Sequence, residues 1–370
     1  MAILTLGDVA IESRETWKSD KENIPIVGLE HLEPGEISLS KWDINSDNTF
    51  TKMFRKGQVL LGRRRVYLRK AVIAPTDGIC SGDITVIEAM PGKILPELLP
   101  FIIQNDRFFN YAMQGSAGSL SPRVKWEHLQ AYKFQLPNLE EQKVLADKLW
   151  AAYNLKSSYN KLLAATDEMV KSQFIEMFKD APKTKVKDFC KLNARIGWQG
   201  LRQDEFLDTG DYYLVTGVDF KSNRIDWSNC HYVTRERFDQ DTNIQLKNDD
   251  VLVTKDGTLG KVAIVKGLTK PATLNSGVFV IRDVMGLTTN TFMYYALLSK
   301  DFENFIEDCK TGSTIAHLNQ KAFYEYQFPT PAKELQNKFV AIAEQADKSK
   351  FELRKSIESI DAVIKSLINS

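Results

Sequence analysis

Cysteine and histidine are scarce in this sequence, with four of each in 370 residues. The cysteines lie far apart and form no C-x-x-C pair, so their spacing favours neither a zinc site nor a disulfide framework. We expect the cysteines to be reduced thiols and the dispersed histidines to be surface or structural residues. The cysteines are Cys80, Cys190, Cys230 and Cys309, and the histidines are His31, His128, His231 and His317.

Sequence motifs of common enzyme classes are also missing. There is no Walker motif, no G-x-S-x-G and no H-E-x-x-H. An amino-type DNA methyltransferase would carry an acidic or amide residue followed by two prolines and an aromatic residue, together with a glycine-rich cofactor loop. Neither occurs. We therefore expect a non-catalytic chain that holds no metal or cofactor of its own.

The sequence has no excess of charge of one sign. Lys and Arg number 49 and Asp and Glu number 48, which gives a formal net charge of +1. This balance excludes a basic surface over the whole chain, so any nucleic-acid footprint must be local. The hydrophobic fraction of 43% and the length of 370 residues are typical of a globular protein with two or three domains.

Long hydrophobic runs are absent as well. The most apolar stretch, ILPELLPFII at 94–103, is short and interrupted by two prolines and a glutamate, which argues against a membrane span. The first residues, MAILTLGDVAIES, contain acidic side chains and no basic segment followed by an apolar one, so no secretory signal is expected. The predicted location is the cytoplasm.

What the sequence does contain is a long internal repeat. TDEMVKSQF at 166–174 resembles IDAVIKSLI at 360–368, which is a shift of 194 positions, and the same shift aligns residue pairs through much of the chain. Nearer the start of each copy, a smaller shift relates GQVLLGRRRVYLRKAVIA at 57–74 to DDVLVTKDGTLGKVAIV at 249–265. Solenoid repeats span only a few tens of residues. The period therefore indicates a duplicated domain with a helix attached to each copy.

Two long helices are predicted, one at the end of each copy. From Leu353 onward, apolar residues recur at intervals of four and three, the pattern of a coiled-coil seam, and a weaker stripe in the first copy is in phase with it. We expect the two stripes to bury each other; the alternative is that each helix packs only on its own domain. The seam residues are Leu145, Leu149, Ala152, Tyr159, Leu163, Val170, Phe339, Ala343, Leu353, Ile357, Ile360 and Ile364.

The segments outside the helices predict two modules of similar structure. Runs of β-branched and aromatic residues separated by glycine-containing turns indicate strands, and two further stretches in corresponding positions show helical spacing. Each module is expected to be mainly β with flanking helices. The predicted fold class is α+β, with two similar mixed α/β domains.

Two polar turns in corresponding positions suit nucleic-acid binding. GRRRVYLRK at 62–70 concentrates basic side chains at a predicted strand-turn-strand corner, and TKDGTLGK at 254–261 offers lysines beside glycines that let the backbone approach a partner. Basic side chains neutralise phosphates, and arginine pairs with guanine edges in the major groove. The alternative for each turn is a solvated charged hairpin. The candidates are Arg63, Arg64, Arg65, Arg69, Lys70, Lys255 and Lys261.

Further candidates lie in a loop before each long helix and in one other segment. GSAGSLSPRVKWEHL at 115–129 and GSTIAHLNQKAF at 312–323 place small hydroxyls ahead of hydrogen-bond donors, although plain capping turns would look the same. RIGWQGLR at 195–202 is predicted by its composition to be exposed. These candidates are Ser119, Arg123, Lys125, Ser313, His317, Asn319, Arg195, Gln199 and Arg202.

In this order, the features resemble the specificity subunit of type I restriction-modification systems. The matching segments are VLVTKDGTLGKVAIV, GSTIAHLNQKAFYEYQFPTP and SLSPRVKWEHLQAYKFQLPNLEEQ, with the long helix after each copy. The resemblance covers essentially the whole chain, and its specificity lies in the repeated order. Two departures are PTPAKELQ, which replaces the PNLEEQ form in the second copy, and RRRVYLRK, which lacks the glycines of its counterpart.

The resemblance implies two target recognition domains, at 1–137 and 180–331, and two long helices, at 138–179 and 332–370. The helices would form an antiparallel coiled coil that spaces the domains and gives the chain an internal pseudo-two-fold axis. Each domain would read one half of a split, asymmetric target in double-stranded DNA. Two methyltransferase (modification) subunits would dock on the helices and restriction/translocase subunits would join them. S-adenosylmethionine, ATP and Mg²⁺ would belong to those partners.

Two other functions remain open at the level of sequence. The chain could be an interaction scaffold without DNA contact, in which the coiled coil recruits partners and the modules bind protein. It could also be a nuclease with a degenerate site, which would require metal-dependent cleavage by the purified chain. DNA binding at low salt separates the first alternative from the favoured one.

Overall fold

The structure, a computed structural model, describes residues 2–19, 21–116, 122–311 and 317–369. The chain divides into two compact units. Unit 1 consists of Met1–Lys161 and Leu353–Ser370, and unit 2 consists of Leu162–Glu352. Each unit therefore contains one module together with a part of each long helix.

Unit 1 contains the elements of the first copy. Its strands are β1 (Ala2–Thr5), β2 (Ala10–Ser13), β3 (Pro25–Val27), β4 (Asp43–Ile44), β5 (Lys52–Phe54), β6 (Val59–Gly62), β7 (Ala71–Ile73), β8 (Gly78–Cys80), β9 (Ile84–Ala89) and β10 (Lys133–Leu136). Its helices are α1 (Leu99–Ile103), α2 (Asp106–Gln114), α3 (Trp126–Leu129) and the first part of α4 (Leu139–Phe178).

Unit 2 contains the elements of the second copy. Its strands are β11 (Lys183–Lys185), β12 (Cys190–Asn193), β13 (Tyr212–Val215), β14 (Phe220–Lys221), β15 (Arg224–Ile225), β16 (His231–Val233), β17 (Val251–Thr254), β18 (Val262–Ile264), β19 (Ala272–Leu274), β20 (Val278–Asp283) and β21 (Gln327–Pro329). Its helices are α5 (Val186–Phe189), α6 (Arg235–Asp239), α7 (Asn290–Ala296), α8 (Lys300–Thr311), α9 (Gln320–Glu325) and the first part of α10 (Lys333–Asn369).

The order of the strands is repeated between the units. The sheet β2-β9-β6-β7 of unit 1 corresponds to β12-β20-β17-β18 of unit 2, which continues into β15 and β14. In each unit a two-stranded antiparallel ribbon, β1-β10 or β11-β21, ties the start of the module to the segment just before a long helix. A further sheet has the order β4-β3-β8-β5 in unit 1 and β16-β13-β19 in unit 2. This repeated order confirms that the module is duplicated.

The central strand of each main sheet has a hydrophobic core on both of its faces. In β6, Val59 and Leu61 belong to one buried cluster and Leu60 belongs to another. In β17 the two valines belong to one cluster and Leu252 belongs to the other. Because side chains alternate between the faces of a sheet, a strand covered on both faces is apolar at every position. The uninterrupted VLL and VLV runs follow from this double burial.

The helices α4 and α10 contain 40 and 37 residues. At the start of α4 the Glu141 amide donates to Asn138 Oδ1 at 3.0 Å and the Asn138 amide donates to Glu141 Oε2 at 3.3 Å, a reciprocal cap that satisfies two amides. None of the predicted seam residues is fully exposed. Leu149, Phe339 and Ala343 are buried, and the other seam residues are partly buried.

Within each unit the two long helices contact each other. In unit 1, Lys156 of α4 donates to Asp361 of α10 at 2.6 Å. In unit 2, Lys350 of α10 donates to Asp167 of α4 at 2.7 Å, and the rings of Phe178 and Phe339 have centroids 5.5 Å apart. The two long helices therefore contact each other in unit 1 and again in unit 2.

A buried glutamine at the base of each long helix fixes that helix to its module. In unit 1, Gln142 accepts a hydrogen bond from the Leu95 amide at 2.9 Å, and its amide group donates to the carbonyls of Lys93 and Pro137. In unit 2, Gln336 makes the same set of bonds. It accepts from the Thr289 amide, at 3.0 Å, and donates to the carbonyls of Leu287 and Pro331, both at 2.8 Å. The same arrangement of one amide and two carbonyls therefore recurs at the base of both helices.

Both long helices carry charged side chains along their length. Among the residues that the structure describes, neither they nor any shorter helix combine the length and the apolar character that crossing a membrane would require.

Candidate nucleic-acid interface

Three segments of unit 1 converge at the end of β6. The Arg63 amide donates to the carbonyl of Asp83 at 2.9 Å, which joins the turn after β6 to the turn between β8 and β9. The Arg65 amide donates to the Pro122 carbonyl at 2.9 Å and the Val124 amide donates to the Arg63 carbonyl at 3.0 Å, which joins the same turn to the loop before α3. We call residues 63–65, 81–83 and 122–125 the turn cluster of unit 1. It brings together two candidate segments that lie far apart in the sequence.

The charges of the turn cluster are organised around one carboxylate. Asp83 accepts hydrogen bonds from Arg123 Nε at 2.7 Å and from Arg123 Nη2 at 3.2 Å, and Arg64 Nη1 lies 3.7 Å from Asp83 Oδ2. The hydrogen bonds from Arg123 lower the pKa of Asp83, against the opposing effect of its partial burial, and Arg64 and Arg63 lower it further. Arg123 in turn has a raised pKa because of the Asp83 carboxylate. Such bidentate pairs are strong and geometrically specific.

The arginines of the turn occupy unusual positions. Arg65 has φ of 53°, in the left-handed region that non-glycine residues seldom adopt, and its side chain is exposed. The Nε group of Arg63 is buried and has no hydrogen-bond partner among the described residues. Strained backbone and unpaired buried donors recur at functional sites, so this basic turn stays a candidate.

The remaining candidates of unit 1 have different surroundings. Arg69 is paired with Asp106 and donates to Asn110 at 3.3 Å, and Lys70 donates to the Leu29 carbonyl at 2.7 Å. Both side chains are thus engaged within the unit and lie outside the turn cluster. Lys125 belongs to the cluster and is exposed. Ser119 lies outside the described residues.

Unit 2 has an equivalent convergence at the end of β17. The Lys255 amide donates to the Gly277 carbonyl at 2.9 Å, and the Leu318 amide donates to the Lys255 carbonyl at 2.9 Å. Gly277 and Leu318 match Asp83 and Val124 by the shift of 194 positions. We call residues 255–256, 277 and 317–319 the turn cluster of unit 2. The backbone arrangement is therefore shared by the two units although the side chains differ.

The side chains of the second cluster are less basic than those of the first. His317 is paired with Asp256, and Lys255 Nζ lies 5.3 Å from the centre of the Phe279 ring. Asn319 caps α9, because its Oδ1 atom accepts a hydrogen bond from the Lys321 amide at 2.8 Å. Lys261, which lies in the same turn as Lys255 and Asp256, is exposed. Ser313 lies outside the described residues.

Glycine is required in the turn that carries Lys255 and Lys261. Gly260 has φ of 74°, and a Cβ atom there would lie 2.6 Å from Ile306 of α8. Gly257 also has a positive φ, of 70°, but a Cβ atom there would meet nothing within 4 Å. The close approach at Gly260 sets the distance between the turn and α8.

The predicted exposure of the segment 195–202 is wrong for two of its three candidates. Arg195 is 1% exposed, and its guanidinium donates to the Leu274 carbonyl at 2.9 Å, to Thr273 Oγ1 at 3.2 Å and to Gln240 Oε1 at 3.1 Å. Burial lowers the pKa of Arg195. A guanidinium supplied with this many acceptors is stable inside a protein, and composition cannot reveal those acceptors.

The two other members of that segment differ from each other. Gln199 is buried, and its Oε1 atom has no hydrogen-bond partner among the described residues. Arg202 is exposed. The buried Arg195 and Gln199 are therefore out of reach of a DNA surface in this structure, whereas Arg202 remains a candidate.

Asp83 and Asp256 pair with candidate residues in the turn clusters, and neither of them is predicted from the sequence. Basic, amide and hydroxyl side chains are the usual partners of phosphates and bases, whereas a carboxylate is not. The available signal was an acidic residue in the SGDIT turn between two apolar strands, and one directly after Lys255. Among the described residues, no group of three His, Cys, Asp or Glu side chains could hold a metal ion.

Known proteins resemble this chain in both sequence and fold. The family model of the type I restriction modification DNA specificity domain matches twice, at residues 1–164 and 179–360. The type I restriction enzyme MjaVIII specificity subunit of Methanocaldococcus jannaschii is 22% identical over 338 residues, which cover 85% of this chain and 75% of that protein.

Two solved structures share the fold over nearly the full length. The S subunit of a type I restriction-modification system from M. genitalium is 14% identical, with a TM-score of 0.56 and coverage of 100% of this chain and 95% of that one. A chain from a study of complex assembly and conformational transition in a type I R-M system is 16% identical, with a TM-score of 0.57 and coverage of 99% and 96%. Since one family model accounts for both modules, the chain belongs to the type I restriction modification DNA specificity domain family.

Proposed function

We propose that each unit of this chain reads one half of a bipartite, asymmetric target in double-stranded DNA. Membership of the specificity-domain family makes the chain a non-catalytic DNA-recognition subunit of a type I restriction-modification system. An interaction scaffold without DNA contact is not favoured by that membership. What we propose beyond it is how the recognition is divided between the units and which residues perform it.

The observation that carries this proposal is the repeated turn cluster. In both units two matching backbone hydrogen bonds join the end of a central strand, β6 or β17, to the turn before β9 or β20 and to the loop before α3 or α9. In unit 1 the cluster presents Arg63, Arg64, Arg65 and Arg123, and in unit 2 it presents Lys255 and His317. Arginine recognises guanine in the major groove, and both arginine and lysine bind phosphate. Because the side chains differ, we infer two different half-sites.

We propose that α4 and α10 form an antiparallel coiled coil that spaces the two target recognition domains, 1–137 and 180–331. Lys156–Asp361 in unit 1 and Lys350–Asp167 in unit 2 support it, because each residue of one pair lies 194 positions from its counterpart in the other. Such reciprocity is expected of two copies related by a two-fold axis. Burial opposes the charge on Lys350, but its hydrogen bonds to Asp167 and Asp347 outweigh this and raise its pKa.

We also propose that the helices dock two methyltransferase subunits, which restriction/translocase subunits join. Two exposed apolar side chains seven residues apart, on the part of α4 that belongs to unit 2, support this role: Leu162 and Met169 are each 49% exposed. Apolar residues at that spacing suit a helical partner. S-adenosylmethionine, ATP and Mg²⁺ would act in the partner subunits.

The test is DNA binding and modification by the chain in complex with its methyltransferase partner. Replacing Arg63, Arg64 and Arg65 with alanine is expected to weaken DNA binding and to flatten its salt dependence, by about 0.9 in the log-log slope for each phosphate that is no longer neutralised. Co-purification with the methyltransferase should be unchanged. Arg14→Ala with Lys41→Ala, two exposed basic side chains outside the turn cluster, serves as the control. Unaltered modification of chromosomal sites in the triple variant would remove this turn from the interface.

A further inference from the structure

We propose that Asp83 is a positioning residue for sequence reading by unit 1. It holds the guanidinium of Arg123 in a fixed orientation, draws Arg64 towards the same point, and reduces the attraction of this cluster for phosphates of any sequence. The inference deepens the proposed function and rests on it. It assigns a role in DNA specificity to an acidic side chain on a surface that binds a polyanion.

The backbone of Asp83 is fixed from both sides. Its amide donates to Ser81 Oγ at 3.2 Å, and the next amide, that of Ile84, donates to the Ser81 carbonyl at 2.9 Å. Its own carbonyl accepts the Arg63 amide at 2.9 Å. The side chain is 20% exposed, so the carboxylate lies at the surface but is partly shielded from solvent. Because the carboxylate is held in place, it orients the Arg123 guanidinium that it binds.

The pairing with Arg123 leaves part of the guanidinium available. A guanidinium has five N–H donors in a planar fork. Asp83 engages Nε and one N–H of Nη2, each bonded to a different carboxylate oxygen. The remaining donors point away from the carboxylate, and their fork matches the O6 and N7 atoms of guanine. Because Arg123 is already ordered, less side-chain entropy is lost when it meets a base.

The Asp83 carboxylate also affects how strongly the turn cluster of unit 1 binds DNA of non-cognate sequence. Four arginines of the cluster attract phosphate wherever it occurs, and this attraction carries no sequence information. Specificity is the difference between the affinities for the right and the wrong sequence. A negative charge at the centre of the cluster weakens phosphate binding in both cases, whereas the arginine orientation that it fixes favours only the correct base pairs.

Unit 2 also pairs a side chain of the loop before α9 with a carboxylate. His317 matches Arg123 by the shift of 194 positions and is also paired with a carboxylate, that of Asp256. That carboxylate comes from a different turn, the turn after β17. The equivalent position in unit 1 is occupied by Arg64. The loop side chain at this position, Arg123 or His317, is therefore paired with an acidic residue in both units, although the acidic residue comes from a different turn in each.

The decisive variant is Asp83→Asn, made in the full chain and assayed in the complex with methyltransferase subunits. The sites modified across a host genome give the sequence preference at each half-site. Binding of cognate duplex and of duplex with one scrambled half-site, over a range of salt concentrations, gives the discrimination. We expect discrimination at the half-site of unit 1 to fall by about fivefold or more. Binding to scrambled DNA should strengthen, and the half-site of unit 2 should be read as before.

Three controls separate this role from a merely structural one. Asp83→Glu keeps the charge and should restore part of the discrimination. Asp77→Asn removes a carboxylate of the same unit that pairs with Arg55, outside the cluster, and should leave both half-sites unchanged. Arg123→Lys keeps the positive charge but cannot form the bidentate pair. It should lower discrimination while affinity for scrambled DNA is retained.

The outcomes are distinguishable. Unchanged discrimination in Asp83→Asn, or an equal loss at both half-sites, overturns the inference. If Asp83→Asn yields no folded complex, Arg123→Lys decides the matter, and unchanged discrimination in that variant overturns it. If the unaltered complex itself shows no preference for any DNA sequence, the proposed function fails, and the failure does not lie with Asp83.

Discussion

Single residues in this chain act through contacts that lie far apart in sequence. Asp83 meets Arg123, Arg195 meets Leu274, and Gly260 meets Ile306. In each case the environment of the residue, rather than its type, sets its role. An arginine is a surface cation at position 123 and a buried structural group at position 195.

Gly260→Ala is expected to destabilise unit 2 by about 2 kcal/mol or more, because an alanine at positive φ is strained and its Cβ would collide with Ile306. Gly257→Ala has the same kind of backbone strain but no close neighbour, so its destabilisation should be about 1 kcal/mol. Denaturant unfolding of the two variants measures the difference. Equal destabilisation would show that the approach to α8 is unimportant.

Glu325 should make the stability of unit 2 sensitive to acid. Hydrogen bonds from Lys185 and Lys187 lower the pKa of Glu325 from its ordinary value of 4.5 to about 2. A lowered folded-state pKa gives stability that is present above pH 4.5 and is lost as the pH falls towards 2. Melting curves of the Glu325→Gln variant and the unaltered chain should differ above pH 4.5 and converge at lower pH.

The exposure of Glu325 makes this effect small and dependent on salt. The difference between the two melting curves should therefore shrink when the ionic strength is raised. Glu334→Gln, at an exposed position in the first turn of α10, provides a comparison. If the two melting curves still differ at high salt or at low pH, the difference does not arise from the ion pairs of Glu325.

At the scale of elements, each long helix is joined to its module by a repeated and buried connection. Gln142 and Gln336 each bond one backbone amide and two backbone carbonyls. The connection sets where α4 and α10 begin relative to the sheets. It also explains why a glutamine recurs at these two positions, a pattern that sequence alone shows without its cause.

Replacing Gln142 or Gln336 with alanine is expected to cost about 1–3 kcal/mol of stability, because buried backbone groups are left without partners. Gln142→Ala should destabilise unit 1 and Gln336→Ala should destabilise unit 2, which hydrogen exchange resolved along the chain would distinguish. Gln345→Ala, at an exposed position of α10, is the matched control and should have little effect. Destabilisation of the wrong unit, or of neither, would contradict the assigned connection.

At the scale of the whole molecule, the proposed spacing of the half-sites depends on the helices. If α4 and α10 form a coiled coil, its length fixes the number of base pairs between the two half-sites. The half-sites themselves depend on the turn clusters. Spacing and sequence preference should therefore respond to different substitutions.

Replacing Ile357, Ile360 and Ile364 with asparagine is expected to loosen this spacing, because polar side chains at seam positions weaken helix pairing. Modified sites should then show a variable gap between unchanged half-sites, and less methyltransferase should co-purify. Val363→Asn, on the exposed face of α10, should alter neither. Sequencing of methylated adenines in host DNA measures both the gap and the half-sites. A fixed gap in the triple variant would refute the coiled-coil spacer.

The amino-acid sequence alone determined the repeat and the long helices. The helix spans predicted at 138–179 and 332–370 compare with Leu139–Phe178 and Lys333–Asn369 in the structure. These features are local or periodic. An apolar stripe and a duplicated motif are visible wherever the chain runs, and the type I specificity resemblance, which the family match confirms, depended on them.

Only the tertiary structure decided which of the candidate residues lie together. It brought Arg63 to the loop of Arg123, placed Asp83 between them, and buried Arg195. Each of these results depends on which distant backbone groups meet when the sheets assemble. Burial and pairing are properties of that assembly, so residue type and spacing cannot supply them. That is why the architecture of this protein can be read from its residue pattern, while the geometry of its turn clusters comes from the fold.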